Sequence, residues 1–346
     1  MNPLDKSAIS IIIPHLKGQD VLIECLESIY NYTQNIEYEI LIIDNNVQDG
    51  SLDDINKKFP DLKIITSKEN KGYAGGCNLG AQNAQGDYLL FLNNDTIIQK
   101  NTIENLLNTI QEDNNISSVQ PKIKNYYNQD MFDYAGGAGG YIDYLVYPFS
   151  RGRVFNSTEK DTGQYNDKRK IFWASGTAFI TKKEIFNKIN GFDETLFAHM
   201  EEIDYHWKCL YAGYDIYVEP QSIIYHKGAT TLPYGTYKKI FLNHRNSLIL
   251  LLTNSKDRLF SKIINRSFLE VISFFYYLMQ GKIKGAIAVA EANIWIFLNI
   301  IYLVKRRKSV QNFIKSNHKI SEQLIKPYSI VKKYFIENKR KYEELS

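Results

Sequence analysis

Short apolar runs that alternate with amphipathic segments dominate the first third of the chain. Four of the runs have the length and continuity of buried strands, and they lie at 8–13, 39–43, 62–66 and 87–92. The segments between them place apolar or small residues at helical spacing, and they lie at 20–31, 75–85 and 101–112. Because strands that alternate with helices form βαβ units, the pattern predicts an α/β fold with a mostly parallel sheet flanked by helices.

The pattern weakens in the middle of the chain and then returns. Residues 132–170 are rich in Gly, Tyr, Asp and Arg without clear periodicity, which predicts a hairpin and a long loop. The later pattern predicts a strand at 171–180, helices at 181–189 and 201–212, and two short strands at 215–226. We therefore expect one α/β domain over residues 1–250.

The amino-acid composition changes near residue 251, and we treat residues 251–346 as a separate C-terminal region. Residues 267–279 and 286–304 are almost entirely apolar and are joined by a Gly- and Lys-rich turn, which predicts a helical hairpin. The first run is shorter than the roughly 20 residues that span a bilayer, and Glu291 interrupts the second. The basic residues at 305–308 favour a hairpin that lies on an anionic membrane surface, and the alternative is a helical subdomain packed on the α/β domain.

Composition and charge narrow the classes of function. A net charge of +4 over 346 residues is too small to indicate a nucleic-acid partner. The three cysteines are far apart and lack ligand spacing, so a structural zinc is not expected. The first residues show no signal-peptide pattern, and we expect the cytoplasmic face of the inner membrane, with peripheral or hairpin anchoring, or otherwise the cytoplasm.

Polar residues follow directly on two of the predicted strands, at the end where α/β sheets bind ligands. Asp44 and Asn45 follow the second strand. A carboxylate at this position either accepts a hydrogen bond from a nucleotide base or a ribose hydroxyl, or it closes an Asx turn. Asn93, Asn94 and Asp95 follow the fourth strand. A carboxylate there either binds Mg²⁺ or Mn²⁺ between two phosphates or caps the next helix.

Three further segments carry candidate chemistry. Residues 70–78 lead from a strand into a Gly-rich helix, whose N-terminus favours phosphate, but their spacing is neither GxGxxG nor a P-loop. Glu201, Glu202 and Asp204 open a helix, where carboxylates either complement the helix dipole or supply a general base. His226 ends a strand and is either a metal ligand or structural.

Together and in this order, these segments resemble the family 2 glycosyltransferases of the GT-A fold, whose sheet is Rossmann-like, and closely the bacterial rhamnosyltransferase-like branch. The resemblance covers roughly residues 7–255, and its motifs lie at 10–14, 42–50, 70–80, 92–96, 173–178, 191–194, 201–204, 212–214, 225–228 and 244–246.

The resemblance implies an inverting transfer from a UDP- or dTDP-sugar to a hydroxyl of a glycan or lipid-linked glycan, in cell-surface polysaccharide synthesis. It implies Glu202 as the catalytic base with Glu201 and Asp204 beside it, and Asp95 and His226 as ligands of Mg²⁺ or Mn²⁺. The implied donor-binding residues are Pro14, Asp44, Asn45, Lys71, Gly72, Gly76, Asn78, Asn93 and Asn94. The implied acceptor-side residues are Trp173 and Gly176.

Two positions depart from the family pattern. Asn93 stands at the first acidic position of the DxD motif, which leaves the metal one fewer carboxylate, and Glu202 stands where the family usually has Asp. Asn93 keeps open the alternative of a non-catalytic partner that binds a sugar nucleotide or a glycan. A nucleotidyltransferase would need a Gly-rich basic loop directly after the first strand. Residues 14–18 contain a single glycine, Gly18, which disfavours that alternative.

Overall fold

One large sheet and one small sheet form the framework of the molecule, whose computed structural model describes residues 9–34, 36–228, 235–316 and 324–345. The expectation about a signal peptide concerns residues 1–8, which lie outside that range. The strands are β1 (Ile9–His15), β2 (Tyr38–Asp44), β3 (Lys63–Thr66), β4 (Tyr88–Leu92), β5 (Thr96–Ile98), β6 (Ile116–Asn125), β7 (Gly140–Asp143), β8 (Pro148–Ser150), β9 (Arg153–Val154), β10 (Ser157–Thr158), β11 (Arg169–Lys170), β12 (Ala178–Lys182), β13 (Asp215–His226) and β14 (Ile325–Lys326).

The helices cover the large sheet and continue into the C-terminal region. They are α1 (Gln19–Tyr32), α2 (Ile55–Lys58), α3 (Gly72–Asn83), α4 (Thr102–Gln111), α5 (Lys183–Lys188), α6 (Glu201–Tyr211), α7 (Tyr237–Asn254), α8 (Leu259–Met279), α9 (Ile283–Leu298), α10 (Ile300–Ser316) and α11 (Ile330–Phe335). Short 3-10 helices lie at Glu194–Leu196 and Tyr342–Leu345.

The large sheet has the strand order β3-β2-β1-β4-β12-β6-β13-β11, with β5 paired to β13. The four strands β3, β2, β1 and β4 are parallel, as the alternating pattern predicts. Strand β12 is antiparallel to both of its neighbours, β4 and β6, whereas β13 is parallel to β6. The sheet is therefore mixed, and the prediction of a mostly parallel sheet is correct for its first half only.

Apolar residues on both faces of the sheet explain why the early strands are unbroken apolar runs. In β1, Ile9, Ile11 and Ile13 pack with α1 and α4 on one face. Ile12 packs on the other face with α3 and α6. A strand that is buried on both faces has no solvent side to interrupt its apolar sequence.

Several segments differ from the sequence prediction. Strand β6 was not predicted, because its buried positions include Ser118, Gln120 and Lys122, whose polar groups are satisfied by hydrogen bonds to other segments. Residues 132–170, predicted as a hairpin and a loop, contain four strands of a second sheet with the order β10-β9-β8-β7-β14. The segment 215–226 is one strand with two irregularities of register, and not two strands.

The C-terminal region is helical, as predicted, but it is tied to the α/β domain. The proposed boundary at residue 250 falls inside α7, and the terminal segment returns so that β14 pairs with β7 of the small sheet. Within the described ranges no single helix is long and apolar enough to cross a membrane. Helices α9 and α10 meet that criterion only as a pair, and the pair is bent by 73°.

Candidate functional site

The carboxyl ends of β2, β1 and β4 meet at one edge of the sheet because these three strands are parallel neighbours. His15 ends β1 opposite Asp44 of β2. The imidazole of His15 accepts from the Asn94 side-chain amide at 2.8 Å, which leaves its Nε2–H to donate to the Ser51 hydroxyl at 2.7 Å. Burial lowers the pKa of His15 to about 4, so the ring is neutral. His15 thus orients Asn94.

Asp44 and Asn45 use part of their hydrogen-bonding capacity within the loop that they begin. The carboxylate of Asp44 accepts from the Val47 N–H at 2.9 Å, which is the Asx-turn alternative considered from the sequence. The Asn45 amide accepts from the Lys71 N–H and donates to the Gly72 carbonyl, both at 2.9 Å. Asn45 therefore fixes the start of α3, and donor contacts by either residue stay a prediction.

Close packing accounts for Gly72 at the start of α3, whereas a Cβ on Gly76 would meet its neighbours at an ordinary van der Waals distance. Gly72 has a φ of +69°, and a Cβ there would lie 2.2 Å from the carbonyl oxygen of Phe197. A Cβ on Gly76 would come within 3.4 Å of Pro14 at the end of β1. Asn78 binds both backbone groups of Phe192 through its side-chain amide. These residues bring α3 against β1 and against the segment that precedes α6, and phosphate binding by this segment stays a prediction.

Asp95, His226 and Asp133 form a buried cluster beside that edge. The pairing of β13 with β5 places His226 opposite Thr96, so that the imidazole Nε2 lies 3.2 Å from the carboxylate of Asp95. The imidazole Nδ1 donates to Asp133 at 2.8 Å. Burial would lower the pKa of His226, but the carboxylates of Asp95 and Asp133 outweigh it and raise the pKa to about 10.

The cluster fits a divalent metal that is shared with a substrate, and not one that the protein holds alone. Among the described residues, no group of three or more His, Cys, Asp or Glu side chains is arranged as a complete metal site. Mg²⁺ is commonly held by one or two protein ligands together with substrate phosphates, which Asp95 and His226 match in number and type. Asp133 would then orient the imidazole, and metal binding would displace the proton from Nε2. Nothing in the sequence around Asp133 had indicated this contact.

Strained backbone leads into the two adjacent glutamates. Phe197, His199 and Met200 have φ values of 64°, 67° and 72°, which residues other than glycine rarely adopt. Such strain persists where the surrounding structure fixes it, and it is concentrated at functional sites. Here it positions the first turn of α6, in which Glu201 and Glu202 lie.

Glu202 and Gly176, assigned from the resemblance to the base and to the acceptor side, lie close together, and both roles stay predictions. The backbone of Gly176 is near enough to the Glu202 carboxylate to affect its pKa, as are the backbone groups of Met200 and Ile203, and the Tyr73 hydroxyl donates to the Gly176 carbonyl. Burial raises the pKa of both Glu201 and Glu202 above 4.5, with the charge of Glu202 adding to the rise at Glu201. One oxygen of each carboxylate has no hydrogen-bond partner within the described parts of the chain. A carboxylate of raised pKa with an unused oxygen is suited to accept a proton.

Asp204 points into a different environment from Glu202. Its carboxylate receives hydrogen bonds from Arg306 at 2.8 Å and Asn254 at 2.7 Å, and it pairs with Lys208 at 2.6 Å. Although burial opposes ionisation, Arg306 and Lys208 hold the pKa of Asp204 well below its usual range. These contacts indicate that Asp204 helps to orient α6, and its direct part in chemistry stays a prediction.

Trp173, predicted on the acceptor side, lies at the junction of the two sheets. Its indole N–H donates to the Tyr141 carbonyl at 2.9 Å, and its ring occupies the space where Gly140 lacks a side chain. The side chain is buried. A direct acceptor contact would require this packing to open.

Comparison with known proteins decides the family. The family model described as "Glycosyl transferase family 2" matches residues 10–189, which is just over half of the 346 residues. The chain belongs to this family. The resemblance read from the sequence is thus confirmed at the level of the family. Because the match ends before Glu201, the assignment of the base in this family 2 chain rests on its own geometry.

Two curated relatives illustrate the similarity. The family 2 chain is 30% identical over 189 residues to glycosyltransferase GlyG of Streptococcus pneumoniae, covering 53% of this chain and 59% of GlyG. It is 38% identical over 95 residues to the poly(ribitol-phosphate) beta-glucosyltransferase of Bacillus spizizenii, covering 26% of this chain and 15% of that protein. The chain therefore matches less than two thirds of the length of these relatives.

A solved structure establishes the fold of this family 2 protein. The structure of GalNAc-T7 with UDP, GalNAc and Mn²⁺ superposes with a TM-score of 0.59 and 17% identity, covering 87% of this chain and 57% of that chain. At this identity the likeness bears on the fold alone. The predicted GT-A fold of the α/β class, with a helical C-terminal region, is confirmed.

Proposed function

We propose that this protein is an inverting, metal-dependent glycosyltransferase that moves a sugar from a UDP- or dTDP-sugar to a hydroxyl of a glycan or lipid-linked glycan in cell-surface polysaccharide synthesis. The observation that carries the proposal is the half-buried Glu202, whose pKa is raised by desolvation and whose Oε2 is buried without a hydrogen-bond partner within the described parts of the chain. A relative supports a cell-surface polymer as acceptor, because it is a poly(ribitol-phosphate) beta-glucosyltransferase.

The proposed reaction follows from the residues at the site. Glu202 accepts the proton of the acceptor hydroxyl while that oxygen attacks the anomeric carbon of the donor, and the bond from this carbon to the diphosphate breaks. Asp95 and His226 would hold a divalent metal, which neutralises charge on the leaving diphosphate when bound. Asp133 keeps the His226 ring in place. The inverted configuration follows from attack opposite the leaving group.

A panel of donors tests this proposal. The chain is titrated with UDP-, dTDP- and GDP-sugars with and without Mn²⁺, and both the thermal midpoint and nucleoside diphosphate release are measured. A ligand that binds only the native state raises the midpoint, so a Mn²⁺-dependent rise with UDP- or dTDP-sugars is expected, together with release that needs an acceptor. No rise with any nucleotide contradicts the donor site, whereas binding without turnover favours a non-catalytic partner.

We further propose that helices α8–α10 hold the enzyme at an anionic membrane surface. Helix α8 differs from a typical helix of a water-soluble protein, since its two buried residues are both charged while several of its large apolar side chains are exposed. Arg266 and Glu270 are 1% and 2% exposed, whereas Phe268 and Met279 are 66% and 81% exposed. Exposed apolar patches of this kind mark interaction sites, and the exposed lysines at 282, 284, 305 and 308 suit anionic headgroups.

Vesicle sedimentation tests the membrane proposal. The wild-type chain is expected to sediment with vesicles that contain anionic lipid and less with zwitterionic ones. Phe268→Ser with Phe275→Ser should reduce sedimentation, because both rings lie on the exposed apolar side of α8. Tyr127→Ser is the control, since Tyr127 is equally exposed but lies in the α/β domain. Equal sedimentation of all three proteins would contradict the proposal.

A further inference from the structure

A cavity lies apart from the cluster around Glu202 and Asp95. It has a volume of about 720 Å³ and is bounded by the loop at 163–169 on one side and by the terminal segment around Lys326 and Tyr342 on the other. None of its described lining residues is among the candidate donor, metal or base residues. Its volume falls in the range of pockets that bind small ligands, which is roughly 300–1,000 Å³.

The cavity wall contains a buried arginine that is only partly satisfied. The side chain of Arg151 is 1% exposed, and its guanidinium pairs with Asp167 through Nη2. Its Nε and Nη1 have no hydrogen-bond partner within the described parts of the chain. A buried guanidinium with unused donors is costly unless an anion or another acceptor completes it.

The charged side chains around Arg151 also favour the binding of an anion in the cavity. Asp167 is shared, because Arg169 also pairs with it at 2.7 Å. Lys326 contributes a third cationic side chain to the wall, whereas Asp167 and Glu343 are the acidic side chains of the described lining. Positive charge therefore exceeds negative charge, and guanidinium groups bind phosphate and carboxylate in a bidentate manner.

Aromatic and amide groups make the cavity suitable for a saccharide. The Arg151 guanidinium stacks on the Tyr165 ring at 4.7 Å, and Tyr328 and Tyr342 also face the cavity. Tyrosine rings offer flat apolar surfaces beside polar edges, on which the C–H faces of sugar or polyol units can pack. Gln164 and Asn166 supply amide groups that can bind hydroxyls.

A smaller hollow extends the cavity in one direction. Its volume is about 450 Å³, and it shares Gly163 and Asn166 with the larger cavity. Lys122 lies in its wall and pairs with Asp161 at 3.1 Å. Two adjoining hollows, of which the larger has an excess of cationic side chains, fit a chain of repeating units better than one small molecule.

We propose that this cavity binds an anionic segment of the acceptor chain, in which phosphate or carboxylate groups alternate with sugar or polyol units, at a distance from the hydroxyl that reacts. This inference names the class of the acceptor and therefore rests on the proposed function. It assigns Arg151, Arg169 and Lys326 to the charged groups and the tyrosines to the sugar or polyol units.

Calorimetric titration of the full chain with three probes tests the proposal. The probes are a glycerol-phosphate oligomer, hexagalacturonate and neutral maltohexaose. At least one anionic probe should bind, more weakly as the ionic strength rises, and maltohexaose should bind at least about tenfold more weakly, a difference near 1.4 kcal/mol. The anionic probe that binds more tightly distinguishes a phosphodiester chain from a uronate chain. Failure of both anionic probes, or equal binding of maltohexaose, overturns the proposal.

Variants locate the binding. Arg169→Gln combined with Lys326→Gln removes two charges from the wall and leaves the buried Arg151 in place, and the dissociation constant should rise about tenfold or more. Lys168→Gln is the control, because its side chain pairs with Glu112 outside the cavity. Unchanged affinity in the double variant overturns the assignment.

Donor turnover with a short neutral acceptor separates this inference from the proposed function. The double variant should turn over the donor as the wild type does. Anionic binding without any donor turnover contradicts the proposed function and supports the cavity assignment, whereas turnover without anionic binding contradicts the cavity assignment alone.

Discussion

Replacing Arg306 with methionine should destabilise the helix that carries Glu202. The Arg306 guanidinium donates from Nη2 to Asp204 of α6 and from Nε to Asp193, both at 2.8 Å. It also donates to Asn254 of α7 at 3.0 Å. One side chain of α10 thus joins α6, α7 and the segment that precedes α6.

The magnitude follows from burial. The side chains of Arg306 and Asp204 are 7% and 1% exposed, so the substitution leaves a buried carboxylate without its guanidinium. Breaking a buried ion pair costs about 3–5 kcal/mol, and because Lys208 still pairs with Asp204 we expect the lower end, about 3 kcal/mol. That loss is a large fraction of the roughly 5–15 kcal/mol by which a native protein is stable.

Urea unfolding followed by circular dichroism measures this loss. Lys308→Met is the matched control, since it removes the same charge two residues away from an exposed position of α10. The control should lie within about 0.5 kcal/mol of the wild type. A double-mutant cycle with Asp204→Asn should show a coupling energy of about 0.5–3 kcal/mol.

The pH dependence provides an independent check of the same network. The pKa of Asp204 is lowered in the folded state from an ordinary value of 3.8, so its ion pairs stabilise the protein fully above that pH and lose their effect as the pH falls below it. The difference in unfolding free energy between wild type and Arg306→Met should therefore shrink in acid. An equal cost for Arg306→Met and Lys308→Met at neutral pH, or a cost independent of pH, would refute the reasoning.

Three further predictions concern the candidate site. Glu202→Gln should abolish transfer and leave donor binding nearly intact. Because the pKa of Glu202 is raised in the folded state, its ionisation destabilises the fold as the pH rises. Glu202→Gln should therefore also raise the thermal midpoint in alkaline buffer. Weaker donor binding by this variant would instead show that Glu202 has a structural role. Asp133→Asn should weaken Mn²⁺-dependent UDP binding about 10–100-fold without affecting metal-free binding, and an unchanged titration would contradict its role in orienting His226. Gly72→Ala should lower the unfolding free energy by about 1–3 kcal/mol, since its φ is +69°, and should cost more than Gly76→Ala, whose Cβ would have room; equal costs in urea unfolding would contradict the packing argument.

The sequence located much of the candidate site because local pattern carries that information. Asp44 and Asp95 were found where apolar strands end, and the parallel strands do bring those ends to one edge of the sheet. Gly176 and Glu202 were assigned separately through the family resemblance, to the acceptor side and to the base, and the structure brings the backbone of Gly176 close to the Glu202 carboxylate. Strand β6 escaped because its buried polar residues break the apolar pattern from which strands are read.

Partners that are distant along the chain could not be read from any local pattern. Asp133 and His226 are 93 positions apart, and their contact depends on the pairing of β13 with both β5 and β6. From the sequence, Asp204 resembles a third acid of the catalytic motif. In the structure its carboxylate is paired with Arg306, which lies 102 positions later in the chain. Whether a carboxylate takes part in the reaction or stabilises the fold depends on such partners.

The sequence by itself determined the α/β class, the positions of the early strands and helices, and the helical C-terminal region, since burial on one or both faces imposes a period on the apolar residues. Only the folded chain shows the mixed order of the sheet, the second sheet, the burial of Arg266 and Glu270 in α8 and the cavity around Arg151. These features arise from contacts between segments far apart in the chain. A periodicity records how deeply a residue is buried, but not against which residue it is buried.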